Sequence, residues 1–179
     1  MKVLVSAASK HGATDEVTQE ICRALREALH ERSGTGGEDD VSVDVYPPEE
    51  VSSVDAYNAV VLGSAVYAGH WMESARELAE RHAAVLAERP TWLFSVGPIG
   101  DPPKPEEDPV DVAEILRSTK AREHRVFSGK LDKGQLGFGE KAIVLALRAP
   151  EGDFRDWEAI RAWAKEIAAA LQVPAVPGA

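Results

Sequence analysis

Short apolar runs rich in β-branched residues recur along this chain, and stretches of helical period fill most of the gaps between them. The runs are Val3-Leu4-Val5, then Val41, Val43 and Val45 alternating with Ser42 and Asp44, then residues 57–62 (YNAVVL) and residues 91–96 (TWLFSV). Residues 125–128 form a shorter last run. Three of the runs lack polar alternation, as strands buried on both faces do. Val17, Ile21, Ala24, Leu25, Ala28 and Leu29 repeat at helical spacing and predict a helix over residues 13–32. A second helix is expected over residues 73–88, with Ala75, Leu78, Ala79, His82 and Leu86 inward. A third covers residues 108–122, with Asp108 as N-cap, Pro109 at the first helical position and Asp111 in the first turn. A last helix, capped by Asp153, presents Trp157, Ile160, Trp163, Ala164, Ile167 and Leu171 on one face. Strands alternating with amphipathic helices make an α/β, doubly wound parallel sheet covered on both faces. One crossover, residues 46–56, carries Pro47-Pro48 and has lost most or all of its helix. One domain is expected over residues 1–172, with an insert at about 130–152 and a C-terminal tail at 173–179. Within the insert, residues 138–147 read as a helix. Residues 33–40 (SGTGGEDD) read as a solvated acidic loop; its glycines follow a helix, so they are no dinucleotide fingerprint.

Charge and cysteine content narrow the function. A net charge of −10 over 179 residues argues against a general nucleic-acid binder, which needs a basic face. Residues 117–148 run the other way, eight basic against three acidic, leaving about +5 there and about −15 elsewhere. That polarity suits an anionic substrate or an acidic partner, or a solvated surface with local ion pairs. The lone Cys22 allows no disulfide, CxxC pair or zinc cluster and reads as a small residue beside the core. His30, His82 and His124 are scattered without ligand spacing, so no metal is assigned. The apolar start is too short for a secretion signal, and the longest run elsewhere, residues 142–147, is far below the ~20 residues of a spanning helix. A cytoplasmic protein without a transmembrane segment is expected.

In such sheets ligands bind at the carboxyl ends of the strands. Three loops of small residues should meet there. Residues 6–14 carry hydroxyls at Ser6, Ser9 and Thr14, cationic or potentially cationic side chains at Lys10 and His11, and Gly12 and Ala13 at the mouth of a helix, where N–H groups suit a phosphate. Residues 63–71 (GSAVYAGHW) hold Ser64, Ala65, Val66 and Gly69, with aromatic faces at Tyr67 and Trp71. The third loop follows Ser95 and Val96; Gly97 and Gly100 let a planar ring approach the backbone. A Walker phosphate loop, the paired carboxylates of a receiver domain and the Gly-x-Ser-x-Gly elbow are all missing.

The run Ser9-Lys10-His11-Gly12-Ala13-Thr14 resembles the flavodoxin phosphate loop, Thr/Ser-x-Thr-Gly-x-Thr, with His11 where a hydroxyl is common. It is more similar to the menaquinone-dependent protoporphyrinogen oxidase branch of that superfamily, as are Gly69-His70-Trp71 and Asp156-Trp157-Glu158. The resemblance implies a flavodoxin-like, three-layer fold with five parallel strands in the order 2-1-3-4-5. It implies one FMN, bound without a covalent link, and an electron-transfer or flavin oxidoreductase role with a redox protein, quinone or porphyrin as partner. One alternative is protoporphyrinogen IX dehydrogenation to a quinone, although the insert looks shorter than that branch's; another is a flavodoxin fold without flavin, kept as a binding module. The FMN contacts implied are Ser9 to Thr14, Ser64, Ala65, Val66, Tyr67, Gly69, Ser95, Val96, Gly97 and Gly100. Catalytic residues and oligomeric state are left open.

Overall fold

The computed structural model describes residues 1–33, 41–97, 108–132, 134, 137, 141 and 150–172. The acidic loop after residue 33, the third loop from residue 98 with Gly100, the helix expected at 138–147 apart from Lys141, with Lys133, Glu140 and Arg148, and the tail at 173–179 lie outside the described residues.

The first unit is a strand, β1 (Lys2–Ala8), that turns into a helix, α1 (Ala13–Ser33). There follow β2 (Ser42–Val45), a 3-10 turn (Pro48–Glu50), β3 (Ala59–Tyr67), β4 (His70–Trp71), α2 (Glu73–Arg81), α3 (Ala83–Leu86) and β5 (Thr91–Val96). The chain continues with α4 (Val112–Thr119), β6 (His124–Phe127), β7 (Lys130–Leu131), β8 (Gly152–Asp153) and α5 (Trp157–Gln172). The parallel path runs β2-β1-β3-β5-β6, which is the expected 2-1-3-4-5 order once the short antiparallel β4 is set aside. The 3-10 turn is all the helix that the Pro47-Pro48 crossover keeps.

Strand alternation sends successive side chains to opposite faces. Val3, Val5 and Ala7 join Val17, Ile21, Leu25, Ile160, Trp163 and Ile167 under α1 and α5. Leu4 and Ala8 join Leu62, Leu78, Leu86, Leu93 and Ile115 under α2, α3 and α4. Cys22 is 1 % exposed in the first of these cores, and burial pushes its thiol pKa up. On the α5 side, Phe94, Phe127 and Trp163 pack in a triangle with ring centroids 5.5–6.4 Å apart. Gly63 makes room for it: a Cβ there would lie 2.3 Å from the Phe94 ring, across the β3–β5 pairing.

Several expected boundaries move. Ser6 is a fully buried strand residue rather than part of the first turn. β3 runs on past Gly63-Ser64 to Tyr67, because Gly63 is there for the Phe94 ring and not for a turn. The helix expected over 73–88 breaks at His82 (φ −112°, ψ 14°), leaving that ring half-buried. α4 starts at Val112, because the carboxylates of Asp108 and Asp111 are drawn away to other partners. The cap of α5 is Asp156, whose Oδ1 accepts the Ala159 N–H at 2.9 Å, and not Asp153. The ribbon of β7 and β8 was not foreseen.

The Gly63 contact is testable. Gly63→Ala should lower the unfolding free energy by about 1–3 kcal/mol, the usual cost of overpacking a filled core. A urea titration should show a lower midpoint at unchanged slope; an unchanged midpoint would mean that the Phe94 ring has room to move.

Candidate functional site

The strand registers carry the site. β1 pairs with β3 from Val3↔Ala59 to Ala8↔Ser64, and β3 pairs with β5 up to Ala65↔Val96. The chain therefore leaves β1 at Ser9 and β5 at Gly97 beside residues 64–66 of β3, which runs on to Tyr67 past the carboxyl edge of its neighbours.

Residues 9–12 form the turn from β1 into α1. Gly12 has φ +82°, a left-handed conformation that strains a side-chain-bearing residue, and nothing lies within 4 Å of where its Cβ would be. Ser9 Oγ is buried and has no hydrogen-bond partner. A buried hydroxyl of that kind costs stability unless something bonds to it. Thr14 is buried in the first turn of α1, and the Glu16 N–H closes onto Gly12 O at 3.0 Å. An orphaned hydroxyl, an open face at Gly12 and the free N–H groups of a 21-residue helix fit a phosphate.

The second segment is a hairpin, not a loop. Tyr67 pairs with His70 across a two-residue turn, Ala68 (φ +49°) and Gly69 (φ +80°), both left-handed. Its two aromatic residues part company. Tyr67 is 37 % exposed, with Lys10 Nζ 4.9 Å above its ring and the His11 ring edge-on at 6.2 Å, so the first loop and the hairpin meet. Trp71 is 2 % exposed and belongs to the core, which corrects the expectation that it offers a face to a ligand. Its backbone N–H donates to Asp111 Oδ2 at 2.9 Å, and His70 Nδ1 lies 3.1 Å from the same oxygen. The Val110 N–H donates to Gly69 O, so the start of α4 holds the hairpin turn from below.

Ser64 and Ser95 are fully buried, and their hydroxyls are engaged inside the protein. Ser64 Oγ donates to Ala65 O at 2.7 Å and accepts the Met72 N–H at 2.9 Å. Ser95 Oγ accepts the Trp71 Nε1–H at 2.7 Å. It also lies 2.8 Å from His124 Nε2, and Asp108 Oδ1 lies 3.5 Å from His124 Nδ1. The carboxylate favours the tautomer with its proton on Nδ1, in which Nε2 accepts the Ser95 hydroxyl proton. Burial holds the His124 pKa below the usual histidine value; Asp108 and Glu123 pull it the other way, less strongly. Ala65 and Val96 are buried, Val66 is half-buried, and Gly97 packs on Val66, whose Cβ would lie 2.8 Å from a Gly97 Cβ.

Sequence reasoning passed over Arg155. Its side chain is 2 % exposed, with Nη1 on Ala13 O at 3.2 Å, Nη2 on Glu16 at 2.9 Å and a forked pair with Asp153 at 2.6 and 2.8 Å. Its guanidinium lies 4.4 Å from the Trp157 ring centroid. The alternating charges of Asp153, Arg155 and Asp156 beside Trp157 were the only cue. In the basic stretch, Arg117 pairs with Glu114, Arg125 with Glu123 and Glu166, and Arg122 covers the Trp92 ring. These three arginines are engaged locally.

Comparison with known proteins follows the same lines. The sequence pattern of the flavodoxin domain family matches residues 4–157. Over 94% of this chain and 95% of its own length, protoporphyrinogen IX dehydrogenase [quinone] of Escherichia coli is 24% identical. The fold is similar to a flavodoxin from the domain Archaea (TM-score 0.63, 16% identity, 96% of this chain and 99% of that one). It is also similar to oxidised Flavodoxin 1 from Bacillus cereus (TM-score 0.59, 14% identity, 94% and 98%).

The buried histidine makes stability depend on pH. An unfolded histidine takes up a proton near pH 6.5, while folded His124 resists it. The unfolded chain then binds more protons, so the contribution is fully present above about pH 6.5 and is lost as pH falls below it. His82, lowered mainly by burial, acts in the same sense. The urea midpoint should drop between about pH 7.5 and 5.5, and His124→Gln should flatten that slope; a slope identical to wild type would remove His124 as its source.

Proposed function

The chain belongs to the flavodoxin domain family, and from that premise we propose that it is an FMN-binding redox protein. The cofactor's phosphate sits at residues 9–14 and its ring lies along the strand ends. The observation that carries this reading is the buried, unpartnered Ser9 Oγ next to the open left-handed turn at Gly12. An unbonded hydroxyl there costs stability in the free protein, and a phosphate oxygen satisfies it. Backbone N–H groups of the first turn of α1, the hydroxyls of Ser9 and Thr14, and the charge of Lys10 hold the phosphate. Tyr67 and the backbone at Ala65, Val66, Gly69 and Gly97 flank the ring. Ser64 and Ser95 serve through their backbones, since their hydroxyls are engaged within the protein. When bound, FMN supplies electron transfer in steps of one or two; the chain binds, orients and excludes water.

The partner is a redox protein or a small quinone or porphyrin. Similarity to the Escherichia coli enzyme over almost the whole of both chains favours, as a second reading, dehydrogenation of protoporphyrinogen with a quinone as acceptor. Among the described residues no helix is long and apolar enough to cross a membrane. We place the protein in the cytoplasm.

The full chain should show saturable FMN binding by quenching of flavin fluorescence; a well-folded chain that shows none ends this reading. Gly12→Val forces a branched side chain to φ +82° and into the open face, so it should abolish FMN retention while far-UV circular dichroism stays native. Ser9→Ala with Thr14→Ala should weaken FMN by about thirtyfold and riboflavin by much less, since each of the two lost hydroxyl–phosphate bonds is worth about 1 kcal/mol; equal losses would take the phosphate away from this loop. Turnover of protoporphyrinogen with a quinone decides the second reading.

A further inference from the structure

The first turn of α1 sets two demands against each other. Asp15 and Glu16 are acidic residues where the helix dipole favours them. A dianionic phosphate at the same helix end would be repelled by them. Asp153, brought alongside by β8, adds a third carboxylate to this region. Arg155 sits among these groups. It reaches Ala13 O, 142 residues away in the chain, together with Glu16 and the neighbouring Asp153, and its side chain is almost wholly removed from water. A buried guanidinium is expensive unless each of its donors is used, and here they face two carboxylates, a carbonyl and the Trp157 ring.

We propose that Arg155 is the positioning residue that makes the α1 end selective for a phosphorylated flavin. This rests on the reading of residues 9–14 as the FMN phosphate site. Arg155 acts in two ways. Its bond to Ala13 O fixes the first helical residue, one position after the Gly12 turn. Its single positive charge offsets part of the negative charge that Glu16 and Asp153 place near the phosphate position. Without it the two carboxylates repel the phosphate more strongly, and FMN affinity should fall at least about tenfold. Riboflavin, which has no phosphate, is blind to this charge.

The test measures dissociation constants of FMN and riboflavin for the full-length chain and its variants by flavin fluorescence quenching. Wild type must bind FMN; failure there removes the phosphate-site reading and this proposal with it, whereas the outcomes below bear on this proposal alone. Arg155→Met should raise the FMN constant at least about tenfold and the riboflavin constant less than about twofold, and the FMN penalty should shrink with added salt. Arg155→Lys, which keeps the charge and loses the fork, should recover most of the selectivity. Because Arg155→Met takes a buried ion-pair partner away from Glu16 and Asp153 and can fail to fold, Glu16→Gln provides the second arm. That residue is half-exposed (53%), and its neutralisation should tighten FMN while leaving riboflavin unchanged. Parallel loss of FMN and riboflavin in Arg155→Met, or an FMN affinity in Glu16→Gln that does not move, overturns the proposal.

Discussion

Parallel pairing of β1 with β3 and of β3 with β5 is the constraint from which the candidate site follows. Every rung fixes the height of one strand against the next, so with Val3 facing Ala59 and Val60 facing Thr91, β1 and β5 end at nearly one level, beside Ser64 and Ala65 of β3. The strands are free to end in small residues because their position is set further back, by Leu4, Val5, Val60, Leu62 and Leu93 in the two cores. Ala7, Ala8, Gly63, Ser64 and Ala65 are buried strand residues with small side chains that fill little of the cores. Ligands gather at the carboxyl edges of such sheets.

The helix that begins at that edge carries an electrostatic conflict. Its dipole is stabilised by acids in the first turn and also attracts anions from outside. A chain that placed acids there without compensation would keep its helix and lose its anion. Arg155 meets the problem from the last part of the chain, reaching α1 beside Trp157, at the start of the helix that packs α5 against α1. The proposed phosphate end of the site thus draws on residues from both ends of the chain.

Much of this was legible in the sequence. The apolar period of α1 and of α5, the strand order and the turn at Gly12 follow from residue spacing and from the resemblance of Ser9 to Thr14 to a phosphate loop. What was illegible is instructive. Gly63 looks like punctuation, yet it is a strand residue that yields to Phe94 on the neighbouring strand, a contact that no local pattern encodes. Asp108 reads as a helix cap and Asp111 as a first-turn acid, but distant partners draw their carboxylates away: His124 and Trp71. Asp153 reads as a cap and pairs instead with the neighbouring Arg155. His82 belongs to the apolar period of a helix that breaks at that very residue. At Gly63, Asp108 and Asp111 a tertiary contact overrides a sound local preference.

The hairpin shows how such overrides stiffen a site. Ala68 and Gly69 both take left-handed conformations, which cost energy for alanine. That turn is held because its flanks are pinned from three directions. Trp71 is buried and bonded to Ser95, Asp111 accepts the Trp71 N–H, and the Val110 N–H reaches Gly69 O. Ser95 then passes the chain of donors on to His124 on the edge strand β6. One aromatic of the pair anchors, and the other, Tyr67, is left at the surface beside Lys10 and His11. A residue meant to flank a planar ligand gains from this arrangement, since the order it needs has already been imposed by its neighbours and little remains to be lost on binding.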